Sequence, residues 1–142
     1  MDLIHDINWL AVAVAIVAGM AIGGVYFAPP VLGNVWTRAI GKTQDELRAA
    51  NAGRMTGVWI ATVVLTAVMA IIEAGFMAHL GIAGLGGGAS VGFHLWLGFA
   101  LPAIALNFLF EGRSVQSIAI TAGHHLASLV VMGGIIGWWS GM

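Results

Sequence analysis

A chain of 142 residues that is 60% hydrophobic and 8% charged, with a mean hydropathy of +0.98, has too few charges to clothe a soluble core. Its net charge of −1 gives no basis for nucleic-acid binding, and the lack of cysteine removes disulfides, thiolate metal sites and thiol nucleophiles. The length fits one domain.

Four apolar stretches, about 7–28, 55–80, 89–110 and 115–139, each approach the ~20 residues that a helix needs to cross a bilayer. Residues 1–142 therefore read as a single all-α membrane domain, a bundle of four transmembrane helices. The opening "MDLIHDINWL" holds two Asp and no Lys or Arg, whereas a secretory signal carries a positive n-region, so the first stretch reads as a mature span. Along it Ala11, Ala15, Gly19 and Gly23 share a face, and Gly19-x-x-x-Gly23 suits close helix contact. Pro29 and Pro30 should end it. In "VLGNVWTRAIG", Val31, Leu32, Val35, Trp36 and Ile40 recur at helical spacing, which predicts a short interfacial helix stopped by Gly41. "TQDE" at 43–46 has the form of a capping box, with Thr43 as N-cap and Glu46 returning the bond. From there the second helix is expected to run unbroken through Leu80.

Span two carries a stripe of Trp59, Thr62, Thr66, Met69, Glu73 and Met77. A carboxylate near a span's centre costs about 3 kcal/mol on the insertion scale, and each Val, Ile, Leu or Phe returns ~0.3–0.6 kcal/mol, so Glu73 is tolerable. The glycine run 84–88 reads as a flexible turn; no strand precedes it, so it is not a phosphate loop. Span three brings His94, then Asn107 and Glu111 one turn apart, placed to hold Arg113 or the loop. In span four, "TAGHHLASLVVMGG" sets Ser117, Thr121, His124 and Ser128 on one arc with His125 at its edge. Gly133 and Gly137 repeat the small-residue spacing.

The basic residues give the threading. Arg38, Lys42, Arg48 and Arg54 lie between spans one and two, and Arg113 between spans three and four; the remaining connection and both termini have none. Positive residues stay on the cytoplasmic side, which predicts a multi-pass protein of the cytoplasmic (inner) membrane with both termini outside. Trp9, Trp96, Trp138 and Trp139 are expected near the outer boundary, and Trp36 and Trp59 near the inner one, as an aromatic belt.

"NWLAV", "YFAPPVLGNVW", "LWLGF", "NFLFEGRS" and "AGHHL" resemble an uncharacterised bacterial membrane family, domain of unknown function 1761. The resemblance covers nearly the whole chain and implies a small multi-pass inner-membrane protein, with no activity attached. Its members commonly have an aromatic residue at the place of His124, so His125 fits the pattern better.

Ionisable groups in spans face protein or water, and Glu73, His94, Asn107, Glu111, His124 and His125 form the candidate intramembrane polar site. Each also has a structural reading as a hydrogen-bonded packing group. Glu73 and His94 have similar depth and could meet across spans two and three. At ~1.5 Å per residue, His94 and His125 differ in depth by about 12 Å, which argues against a bis-histidine haem built on both. Haem on His79 and His94 is left to a visible spectrum. No His-x-x-x-His pair occurs, so neither metal nor cofactor is expected. No nucleophile has a base beside it in a recognisable motif, so an enzyme is not expected. The polar stripes point to a small homo-oligomeric channel or proton-linked transporter, its partners being the lipid bilayer and its own copies. The alternative is an accessory or scaffolding subunit that packs against other membrane proteins.

Overall fold

Asn8 opens α1 (Trp9–Tyr26), its side-chain oxygen accepting from the Ala11 amide at 3.1 Å and satisfying a donor that a helix start leaves free. The computed structural model describes residues 6–142, so Asp2 of the acidic N-terminal pair lies outside the described residues. Ala28 is extended (ψ 138°) before Pro29, as a residue preceding proline must be. One wide π-helical turn, Pro29–Gly33, leads into α2 (Asn34–Ala39). A Cβ on Gly33 would run into the Phe27 carbonyl oxygen, so only glycine fits that tight return. The short helix foreseen here folds back onto the last span: the Trp36 indole donates to Thr121 Oγ1 at 3.3 Å, and Ser114 Oγ donates to the Ala39 carbonyl at 3.0 Å.

The capping box forms at the start of α3 (Gln44–Asn51). Thr43 N–H donates to Glu46 Oε2 at 2.7 Å, and Glu46 N–H donates to Thr43 Oγ1 at 3.1 Å. The expected unbroken helix from this point is corrected. Gly53 adopts a left-handed conformation (φ +76°), which ends one helix before α4 (Met55–Leu80) begins.

The glycine run is also corrected. Only Gly84 (φ +84°) belongs to the turn, and Gly86, Gly87 and Gly88 are already inside α5 (Leu85–Leu95). α5 passes through a wide turn at Trp96–Ala100 into α6 (Leu101–Phe110), and together they make one apolar helix. The wide turn has a local cause. Pro102 cannot donate back to the preceding turn, and the Leu101 amide reaches five residues back to the Trp96 carbonyl. Ser114 caps α7 (Val115–Ser140).

The described residues are all helical, without strands, and α1, α4, α5–α6 and α7 are four helices long and apolar enough to cross a membrane. α7 is the most enclosed of them and packs on α5 along one side and on α1 and α4 along the other. The core of Val12, Ala15, Ala70, Ala74, Met77, Leu129, Met132 and Ile136 occupies the half of the bundle nearer Gly84. In the other half α4 stands apart: every residue from Met55 to Leu65 is exposed. Trp96 departs from the belt expected of it. It lies at mid-span and donates its indole N–H to the Ala122 carbonyl at 2.8 Å, because the third helix starts at Leu85 rather than residue 89.

Candidate functional site

α5 and α7 approach each other backbone to backbone, and glycines make the approach. Gly84 N–H donates to the Gly137 carbonyl at 2.7 Å. A Cβ on Gly88 would strike the Gly133 carbonyl, one on Gly92 the Leu129 carbonyl, and one on Gly133 the Gly88 carbonyl. A backbone carbonyl can come this close to a neighbouring helix only where that helix offers a residue without a Cβ.

Glu73 of α4 is aimed at this seam. It is fully buried (0% exposed), and its Oε1 would lie 2.7 Å from a Cβ on Gly92 and 2.5 Å from one on Gly133. The slot that takes the carboxyl exists because both residues are glycine. Among the described residues neither carboxyl oxygen has a hydrogen-bond partner. An ionised carboxylate without a donor costs several kcal/mol in such surroundings, and the neutral acid far less.

The second feature is a cleft of about 530 Å3 between α1, α4 and α7. It opens where α4 stands away from the bundle and where Gly19, Gly23 and Gly24 of α1 leave room. α4 contributes Trp59, Thr62, Thr66 and Met69, and α7 contributes His124, His125, Ser128 and Met132. The stripes read on spans one, two and four thus meet here. The His125 Nδ1 lies 3.0 Å from the Thr121 carbonyl, its i−4 neighbour. His124 sits among rings, 5.0 Å from Phe27, 5.6 Å from Tyr26 and 5.0 Å from His125, centroid to centroid. Its Nε2 is 3.4 Å from Ser128 Oγ, and its buried Nδ1 has no partner among the described residues.

A smaller cavity of about 230 Å3 enters from the opposite end of the bundle, between Asn8, Ala74, Met77, Gly81, Ile136 and Ser140 among others. The cleft reaches Met69 and Met132, and the small cavity reaches Ala74 and Ile136. Four to five residues of helix, about 6–8 Å, separate them along α4 and α7. Along α4, Glu73 falls within that interval, its carboxyl turned to Gly92 and Gly133.

The six residues singled out in the sequence do not form one cluster. Glu73 and His125 belong to different places, the partition and the cleft. The expected meeting of Glu73 with His94 is not made. His94 is exposed and turned along its own helix, its Nδ1 2.7 Å from the Ser90 carbonyl, while Gly92 is the residue of α5 that faces Glu73. Glu111 pairs with Arg113 at 2.5 Å, and the guanidinium lies 4.6 Å above the Phe108 ring; Asn107 is exposed and takes no part. His79 is exposed at the end of α4. Among the described residues no group of three or more His, Cys, Asp or Glu is gathered in one place. Sequence reasoning missed Gly88 and Gly92. Their signal is the four-residue spacing Gly84, Gly88, Gly92, which matches Gly133 and Gly137 across the seam; its first two members sit in the run 84–88 that reads as a turn.

A family model described as protein of unknown function (DUF1761) matches residues 10–137. The chain belongs to this family. The match takes in the DUF1761 protein's partition, its cleft and its glycine seam up to Gly137. No curated protein and no solved structure matches the chain.

Proposed function

We propose that this chain is a small proton-linked carrier that works as a homo-oligomer in the cytoplasmic membrane, with its two basic connections on the cytoplasmic side, and we assign it no enzymatic activity. The observation that carries the reading is Glu73, an unpartnered carboxyl in a partition about one turn thick with a cavity on either side. A carboxyl with no donor beside it, which gains water when either cavity extends by a turn, can take a proton from one side and release it to the other. A continuous pore is less well supported, since Met69 and Met132 lie at the inner limit of the cleft. Reconstituted vesicles holding a pH-sensitive dye test this. Wild-type protein is expected to pass protons down an imposed gradient, and Glu73→Gln, which keeps the shape and loses the titration, to fall to the level of empty vesicles. Wild-type flux equal to that of empty vesicles would overturn the carrier.

A second reading, an accessory subunit, is favoured by the all-round exposure of Met55–Leu65 among the described residues. It predicts co-purification with a larger membrane complex after mild solubilisation, whereas a stable homo-oligomer alone counts against it.

A further inference from the structure

We infer that the cleft between α1, α4 and α7 binds a lipid-soluble phenol, held at its hydroxyl by His125 and over its ring by methionine and aromatic side chains. This rests on the carrier reading in one respect: it names the cargo.

The hydroxyl requirement comes from the His125 hydrogen bond. A backbone carbonyl only accepts, so the contact of Nδ1 with the Thr121 oxygen at 3.0 Å places the ring proton on Nδ1. Nε2 then carries a lone pair on the edge of the ring turned away from its own helix, and the Thr121 contact is the one hydrogen bond His125 makes with its side chain among the described residues. A ligand that fills this place has to donate. A ketone, an ether or a hydrocarbon offers nothing to it.

The ring requirement comes from the walls. Met20, Met69 and Met132 come from three different helices, and Phe27 and Trp59 add aromatic faces. Thioethers favour contact with aromatic rings over saturated chains, and ring faces add offset or edge contacts. The volume of about 530 Å3 falls within the range of small-molecule sites. No Lys, Arg, Asp or Glu lines the cleft, so a charged or sugar-like solute is poorly served. Entry is from the side: α4 is exposed on every face from Met55 to Leu65, and a Cβ at Gly24 would meet nothing within 4 Å.

The test uses 1-naphthol and its O-methyl ether, 1-methoxynaphthalene, with wild-type protein in lipid nanodiscs. Binding is counted as probe held above that of empty nanodiscs of the same lipid. The naphthol is expected to bind saturably and about tenfold more tightly than the ether, the worth of one hydrogen bond. His125→Phe should bring the two probes to parity. Gly24→Phe, which fills the cleft from a position with open space around it, should abolish binding of both; it stands in if the histidine variant does not fold. Equal binding of naphthol and ether to wild type, or no binding above empty nanodiscs, overturns the proposal. The outcome is separable from that of the carrier. Binding without any wild-type proton flux removes the carrier and leaves the site, and flux without binding removes the site and leaves the carrier.

Discussion

Replacing Glu73 by leucine would keep much of its volume and remove two oxygens that have no partner. A buried polar group without a hydrogen bond lowers stability by about 1–3 kcal/mol, so Glu73→Leu is expected to unfold no more easily than wild type in a denaturation series in detergent. Proton flux in vesicles should nevertheless be lost. A residue kept only for packing would show the opposite pattern, with stability falling and flux unmoved. Gly133→Ala is expected to destabilise by about 1–3 kcal/mol, because the methyl group meets the Gly88 carbonyl and Glu73 Oε1 and neither backbone can step aside. Gly57→Ala, on the free half of α4 with nothing within 4 Å, should leave stability unchanged or raise it by up to about 1 kcal/mol. Glu73 was legible in the sequence as an ionisable residue within a span. Its isolation was not, since that depends on two glycines of other helices that no local pattern connects to it.

Among the elements, α3 carries a second test. The Glu46 carboxyl is held below its ordinary value of 4.5, chiefly by the hydrogen bond from the Thr43 backbone amide and then by the Thr43 side chain. A carboxyl whose pKa is depressed on folding contributes stability above its unfolded value, and that contribution disappears as pH falls through the folded one. Amide protection over α3 should therefore decline as the pH is lowered past 4.5, and Glu46→Gln should flatten the dependence. Thr43→Ala, which removes the cap itself, should cost the helix about 1 kcal/mol at neutral pH, seen as faster exchange of the first-turn amides. The Thr43 capping box and the stop at Pro29 and Pro30 could be read directly because each rests on residues within a few positions of one another. The wide turn at Trp96–Ala100 could not. In "LWLGFALPAI" nearly every residue is apolar, so an inserted residue leaves no trace in the periodicity, and only Pro102 hinted at it. The glycine run was misjudged for a related reason, because glycine marks both a turn and a close helix contact, and only the partner helix decides between them.

For the molecule as a whole, the number of long apolar helices followed from composition, because lipid demands an apolar exterior and a self-satisfied backbone. Their mutual arrangement did not follow, because between apolar helices the driving force is fit rather than hydrophobicity. The proposed threading has a direct check, since the chain holds no cysteine to interfere. Ala83→Cys, on the hairpin before α5, should react with a membrane-impermeant maleimide in intact cells, and Ala49→Cys, on α3, only after permeabilisation. Both sites are exposed, so a reversed pattern inverts the threading rather than reporting burial.

The seam between α5 and α7 also has a mechanical side. Interlocked side chains can creep past each other by changing rotamers one at a time, but main chain laid on main chain has no such intermediate steps, and the pair either stays fastened or parts completely. In the proposed carrier these two helices are the fixed part. Displacement in such a carrier is expected on the other side, where α4 is exposed from Met55 to Leu65, so spin labels on that arm should report broad distances to α7 while a pair at the exposed Ser90 and Val131, beside the seam, reports a single narrow one.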